Sequence, residues 1–108
     1  MTDPLSSLYA TVLSRRDTKL DGSYTCYLFG QGLDKMLKKC GEECAEVIIA
    51  AKDTDKEALV GEMCDLLYHL TVVMAEKGIS PDDIYEELDR RAEKERNLKP
   101  VKTVDKNT

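Results

Sequence analysis

The 108-residue sequence lacks a basic excess: sixteen Lys and Arg against twenty-one Asp and Glu give a formal charge of −5. That balance argues against a nucleic-acid or anionic-membrane partner, though a local basic cluster can still take a small anion. No apolar run approaches the roughly 18 to 20 residues that span a bilayer. The opening MTDPLSSLYATVLSRR also lacks the basic-then-apolar order of a signal peptide. These absences predict a soluble, cytoplasmic protein without a membrane partner. The four cysteines, Cys26, Cys40, Cys44 and Cys64, include no CxxC, so reduced thiols are expected. Cys40 and Cys44 lie four apart on one helical face, where small buried hydrophobes are favoured over a zinc site. Repeats, low-complexity blocks and strand-like alternation are missing too. What remains is one domain over residues 1–97 with a polar tail over 98–108, in a helical chain of a size that often completes its core with copies of itself.

Helical periodicity is what the chain does have. Asp3 as N-cap and Pro4 at the first helical position open a short amphipathic helix to about Arg16. The segment from Asp17 to Gly32, with three glycines and several aromatics, reads as a loop or extended stretch. From Leu33 to about Lys52, the residues Leu33, Met36, Leu37, Cys40, Cys44, Val47, Ile48 and Ala51 form one stripe at 3.6-residue spacing. Thr54 and Glu57 make a capping box for a further helix that stops at Gly78. Ser80, Pro81 and the acidic pair Asp82 and Asp83 start a last, peripheral helix that continues to about Asn97. The expected fold is all-α: an antiparallel bundle of about four helices, completed by homo-oligomerisation into a dimer or larger assembly.

The second long helix carries an anomaly. Between Leu59 and Met74 it is apolar nearly all round, yet Glu62, Asp65 and His69 form a narrow polar stripe through it. Buried carboxylates are costly unless paired or bound to a cation. On the preceding helix Glu43 borders the apolar stripe, Glu46 comes next, and Glu42 lies nearly opposite. If the two apolar stripes pack together, Glu43 and Glu46 meet Glu62 and Asp65. Four converging carboxylates repel unless protonated or bridged by a hard cation such as Mg2+, which takes oxygen ligands and is commonly shared with phosphates. An ion pair with Lys or Arg is the competing account of Glu62 and Asp65. His69 reads as a hydrogen-bond partner below Asp65 in preference to a ligand or base. Lys35, Lys38 and Lys39 admit two readings, phosphate binding beside a metal or pairing of Lys38 and Lys39 with Glu42 and Glu43.

The blocks EECAE and EMCD, fifteen residues apart, resemble the EExxE and ExxD motifs of the MazG-like all-α nucleotide pyrophosphohydrolases. More specifically, SYTCYLFGQGLDKMLKKCGEECAEVIIAAKD and DLLYHLTVVMAEKGISPDDIYEELDRR are similar to the phosphoribosyl-ATP pyrophosphohydrolase family of histidine biosynthesis, a likeness running from Leu8 to about Arg96. The resemblance implies Mg2+-dependent hydrolysis of 1-(5-phosphoribosyl)-ATP to 1-(5-phosphoribosyl)-AMP and pyrophosphate, by attack of a metal-activated water at the α-β phosphate linkage. It implies a catalytic set of Glu42, Glu43, Glu46, Glu62 and Asp65, the last four as metal ligands. It also implies substrate contacts from Ser23, Tyr24, Thr25, Lys35 and Lys39. Cys40 and Cys44 depart from the small apolar residues usual at their positions, which touches packing rather than chemistry. Some relatives are fused to the cyclohydrolase of the next step, an activity expected to reside elsewhere here. Two alternatives stay open: a house-cleaning nucleoside triphosphate pyrophosphatase with the same acids, and a non-catalytic helical dimerisation module.

Overall fold

A computed structural model describes residues 3–96; the expected tail over 98–108 lies outside them. Five helices follow one another: α1 (Pro4–Asp17), α2 (Tyr24–Gln31), α3 (Leu33–Ala51), α4 (Lys56–Lys77) and α5 (Pro81–Arg96). No strand occurs among the described residues. The all-α expectation holds, with one helix more than the count of about four.

The additional helix is α2, where a loop was expected. Ser23 caps it by accepting from the Cys26 N–H at 3.2 Å, and Gly22 and Gly32 bracket it at φ +81° and +95°. These left-handed positions suit glycine and let the chain turn sharply at both ends. Leu28 is fully buried and Phe29 packs beside it, so tertiary burial sustains an eight-residue helix that would be marginal alone.

Caps fix the other elements. The Asp3 carboxylate accepts from the Ser6 N–H at 2.9 Å and from the Tyr85 hydroxyl at 2.6 Å, which caps α1 and ties α5 to it. The α4 cap is Asp55, not Thr54: its side chain accepts from the Ala58 N–H at 3.1 Å, and Gly78 closes the helix in the left-handed region at φ +70°. At the start of α5, Ser80 and Asp83 bond reciprocally, backbone N–H to side chain in both directions.

The broadest helix contact is the antiparallel α3/α4 hairpin; α1 packs on α4 and α2, α2 on α3, and α5 on α1. The core sits at one end of the hairpin, where Val12, Leu28, Met36, Val72 and Ala75 are buried among Leu8, Tyr9, Leu13, Phe29, Leu33, Tyr68 and Val73. Beyond that end the α3 stripe is largely open. Of its members Met36 is buried, whereas Leu37 and Ile48 are 48% and 63% exposed. Cys40 is half-buried and Cys44 exposed, which corrects the expectation of two buried thiols: none of the described residues covers that face. On α4, Val60, Met63, Leu67 and Leu70 make a matching exposed row. The radius of gyration, 16.9 Å, exceeds the ~13 Å of a compact chain of about this length.

By length and composition α4 could cross a bilayer, contrary to the expectation that no apolar run approaches that length. Glu62, Asp65 and His69 occupy its middle, which is costly in hydrocarbon, and the helix packs on α3 and α1.

Candidate functional site

The carboxylates gather midway along the hairpin. Glu43 of α3 is buried, 7% exposed, although it is charged. Asp65 stands one turn after Glu62 on α4, so both project to the same side. One carboxylate oxygen from each of Glu43, Glu62 and Asp65 lies within 4.8 Å of the others. Glu46, a turn beyond Glu43, hydrogen-bonds the Glu62 carboxyl. Two carboxyl groups can share such a bond when one of them holds a proton.

That crowding shifts the acids as elementary electrostatics requires. Burial, followed by the neighbouring Glu46 charge, pushes the Glu43 carboxyl above the ordinary 4.5, against the opposing pull of His69 and Lys39. Glu62 is raised as well, first by the hydrogen bond with Glu46 and then by burial. Glu43 Oε2 and Glu62 Oε2 are both buried without a hydrogen-bond partner. Orphaned buried carboxylate oxygens carry a desolvation cost that nothing nearby repays. No ion pair joins Glu62 or Asp65 to Lys or Arg among the described residues, so the ion-pair account of these acids has no support here. An all-oxygen donor set with two unpartnered atoms fits a hard divalent cation.

Glu42 points elsewhere. It is solvent-exposed and binds Lys39 Nζ at 3.2 Å, in keeping with its place opposite the other acids on the helical wheel. Lys39 also approaches Glu43 Oε1 at 3.9 Å, so the pairing reading of the lysines applies to Lys39. Lys35, half-buried and one turn earlier, and Lys38, exposed, form no ion pair among the described residues.

The SYT segment lies at the start of α2, against the same stretch of α4. The ring of Tyr24 is 43% exposed, and its hydroxyl meets His69 Nε2 at 3.1 Å. Thr25 Oγ1 hydrogen-bonds the Tyr68 hydroxyl. His69 is 6% exposed and its Nδ1 sits 2.8 Å from the Asp65 carbonyl oxygen, the position below Asp65 expected of it. An open recess of about 570 Å³ begins at Ser23, Tyr24 and Tyr27 and extends along Lys19 to Gly22; none of Glu43, Glu46, Glu62 and Asp65 lines it. Tyr68 is the residue that sequence reasoning passed over. Its signal was its place in DLLYHL, immediately before His69.

The family model for phosphoribosyl-ATP pyrophosphohydrolase matches residues 5–92. A phosphoribosyl-ATP pyrophosphatase of Clostridium botulinum strain Hall is 52% identical over 103 residues, 94% of each chain. One from Pelotomaculum thermopropionicum is 55% identical over 92 residues, 85% of this chain and 94% of that one. The histidine biosynthesis bifunctional protein HisIE of Caldanaerobacter subterraneus is 50% identical over 90 residues, which span 83% of this chain and 44% of that longer protein.

Proposed function

The chain belongs to the phosphoribosyl-ATP pyrophosphohydrolase family, and from that membership we propose that it hydrolyses 1-(5-phosphoribosyl)-ATP to 1-(5-phosphoribosyl)-AMP and pyrophosphate in histidine biosynthesis, as a cytoplasmic enzyme with its catalytic domain in residues 1–97. Water adds across the α-β phosphoanhydride: its oxygen forms the new phosphorus–oxygen bond, the bridging bond breaks, and pyrophosphate leaves. The observation that carries this reading is the pair of buried, partnerless carboxylate oxygens on Glu43 and Glu62, facing each other across α3 and α4 within a helical bundle of this family.

Glu43, Glu46, Glu62 and Asp65 would hold Mg2+. Bound there, the cation neutralises phosphate charge and acidifies a water. The protein's own groups do the rest. Burial of Glu43 and the unpartnered oxygens on Glu43 and Glu62 leave these acids to favour a cation over bulk water. Lys39, which already bridges Glu42 and Glu43, stands at the edge where phosphate oxygens enter, and Lys35 extends the positive rim by one helical turn. Glu42 orients Lys39 through their ion pair. Ser23, Tyr24 and Thr25 present the nucleoside end of the site, with the recess beside Tyr24 open to the larger part of the substrate.

A second copy of the chain completes the assembly. The rows Leu37, Cys44 and Ile48 on α3 and Val60, Met63, Leu67 and Leu70 on α4 are too apolar and too continuous to face water, and a homo-oligomer buries them.

The test is pyrophosphate release by purified protein from phosphoribosyl-ATP, ATP and dUTP, with and without Mg2+. Fast release from phosphoribosyl-ATP alone, lost with EDTA, is the expected result. Equal or faster release from ATP or dUTP moves the protein to the house-cleaning nucleoside triphosphate pyrophosphatases. No release from any substrate overturns the reading.

A further inference from the structure

His69 is the chain's one histidine, and its two ring nitrogens are both engaged in ways that fix where the proton sits. Nδ1 lies 2.8 Å from the Asp65 backbone oxygen. A carbonyl oxygen can accept but cannot donate, so Nδ1 carries the hydrogen. In the neutral ring Nε2 is therefore bare and accepts, and its partner at 3.1 Å, the Tyr24 hydroxyl, donates. The ring is packed on two sides: it meets Tyr68 edge-on at 4.9 Å and Tyr24 edge-on at 5.7 Å between centroids, and it is buried. One residue before it, Tyr68 holds Thr25 by a hydroxyl–hydroxyl bond. Two consecutive residues of α2 are thus latched to two consecutive residues of α4, directly below the acid at Asp65.

We infer that His69 is a positioning residue for substrate: held in one tautomer by the Asp65 carbonyl, it fixes Tyr24 against the stretch of α4 that carries Asp65, with the phenolic hydrogen directed at Nε2. The inference rests on the pyrophosphohydrolase reading. It adds a chemical restriction to it. With its hydrogen committed to Nε2, Tyr24 presents lone pairs and the ring face to the site, so it takes a donor such as a ribose hydroxyl or the Lys39 ammonium. It does not donate to a phosphate. The phosphates are left to the lysines and the cation, and Tyr24 governs the nucleoside end.

Three variants test this in the full-length protein without a histidine tag: Tyr24→Phe, His69→Asn, and the two combined. An asparagine amide can still donate to the Asp65 carbonyl but is too short to accept from Tyr24. Each single variant should raise KM for phosphoribosyl-ATP about fivefold, the worth of one neutral hydrogen bond, with kcat held within about twofold. The double variant should be no worse than Tyr24→Phe alone, because without the phenolic oxygen nothing is left for His69 to position. Independently of turnover, nitrogen-15 NMR of the single imidazole should show the Nδ1-protonated neutral tautomer, with the Nε2 signal displaced in Tyr24→Phe. Additive losses, a fall in kcat and thermal stability together with KM unmoved, or the opposite tautomer would each overturn the inference. Wild-type protein that turns over nothing would instead sink the functional reading, and the NMR arm would still decide the hydrogen-bond chain.

Discussion

Glu62, half-buried, and Asp65, exposed, have no basic partner among the described residues, and they set the sharpest prediction at the scale of single residues. Glu62→Gln and Asp65→Asn should each lower pyrophosphate release by about 100-fold or more, since even groups behind metal ligands typically cost 10- to 100-fold. Glu42→Gln should cost less than about tenfold, because an exposed pair such as Glu42–Lys39 contributes at most ~1 kcal/mol. Kinetics of the three variants at saturating Mg2+ checks both. The raised Glu43 and Glu62 carboxyls also fix the sign of a pH effect. Above the ordinary 4.5 the unfolded chain releases protons that the folded, metal-free protein retains. Its stability therefore falls as pH climbs from there through the raised folded values, and then levels off. Urea titrations in EDTA across that range should show the decline, and excess Mg2+ should remove it. Glu87 acts in the opposite sense. Its bonds to Arg90 and Arg91 hold it down to about 2, so its small, exposed contribution is lost only as pH falls toward that value. Among these residues the acids were legible because an apolar helix makes a lone charge conspicuous. The partnership of Tyr24 with His69 was not, since forty-five positions separate them and no helical period links them.

At the scale of elements, α2 decides how well the substrate-facing segment is held. Ser23→Ala removes the hydroxyl that accepts from the Cys26 N–H and should lower stability by about 1 kcal/mol. An α2 that frays at Tyr24 should also raise KM more than it lowers kcat. Chemical denaturation paired with steady-state kinetics measures the two together. This helix was hidden in the sequence because it is short, contains Gly30, and owes its existence to burial of Leu28. Long α3 announced itself through eight stripe positions, and α5 through Ser80 and Pro81. For α4, Thr54 and Asp55 are both capping types, and Thr54 with Glu57 matches a capping box. The carboxylate of Asp55 reaches the Ala58 N–H and takes the position, a contest that a pattern of residue types cannot resolve.

For the whole molecule, the exposed rows on α3 and α4 predict association. Leu67→Lys places a charge in the middle of the α4 row, where Leu67 is 52% exposed in one chain. It should shift the protein to monomer in light scattering and make melting independent of protein concentration, whereas the wild type should melt higher as concentration rises. The size of this helical chain already led to an expectation of copies that complete its core. Which residues would face the second copy became visible only with the core located at one end, because stripe members such as Met36 and Ile48 share a period and differ entirely in surroundings.

The off-centre core has a consequence for how the protein breathes. Val12, Leu28, Met36, Val72 and Ala75 anchor the hairpin at its open end, while the turn around Lys52 to Asp55 is exposed throughout. The carboxylates lie at the boundary between these two regimes. A cation held there works as a clasp between the arms, and the backbone beyond it, residues 44–61, should exchange its amide hydrogens with solvent fastest in metal-free protein and slow markedly when Mg2+ is added. Amides around Leu28, Met36 and Val72 should be indifferent to the metal, so an exchange map would draw the border between permanent scaffold and ligand-governed structure along Glu43 and Glu62.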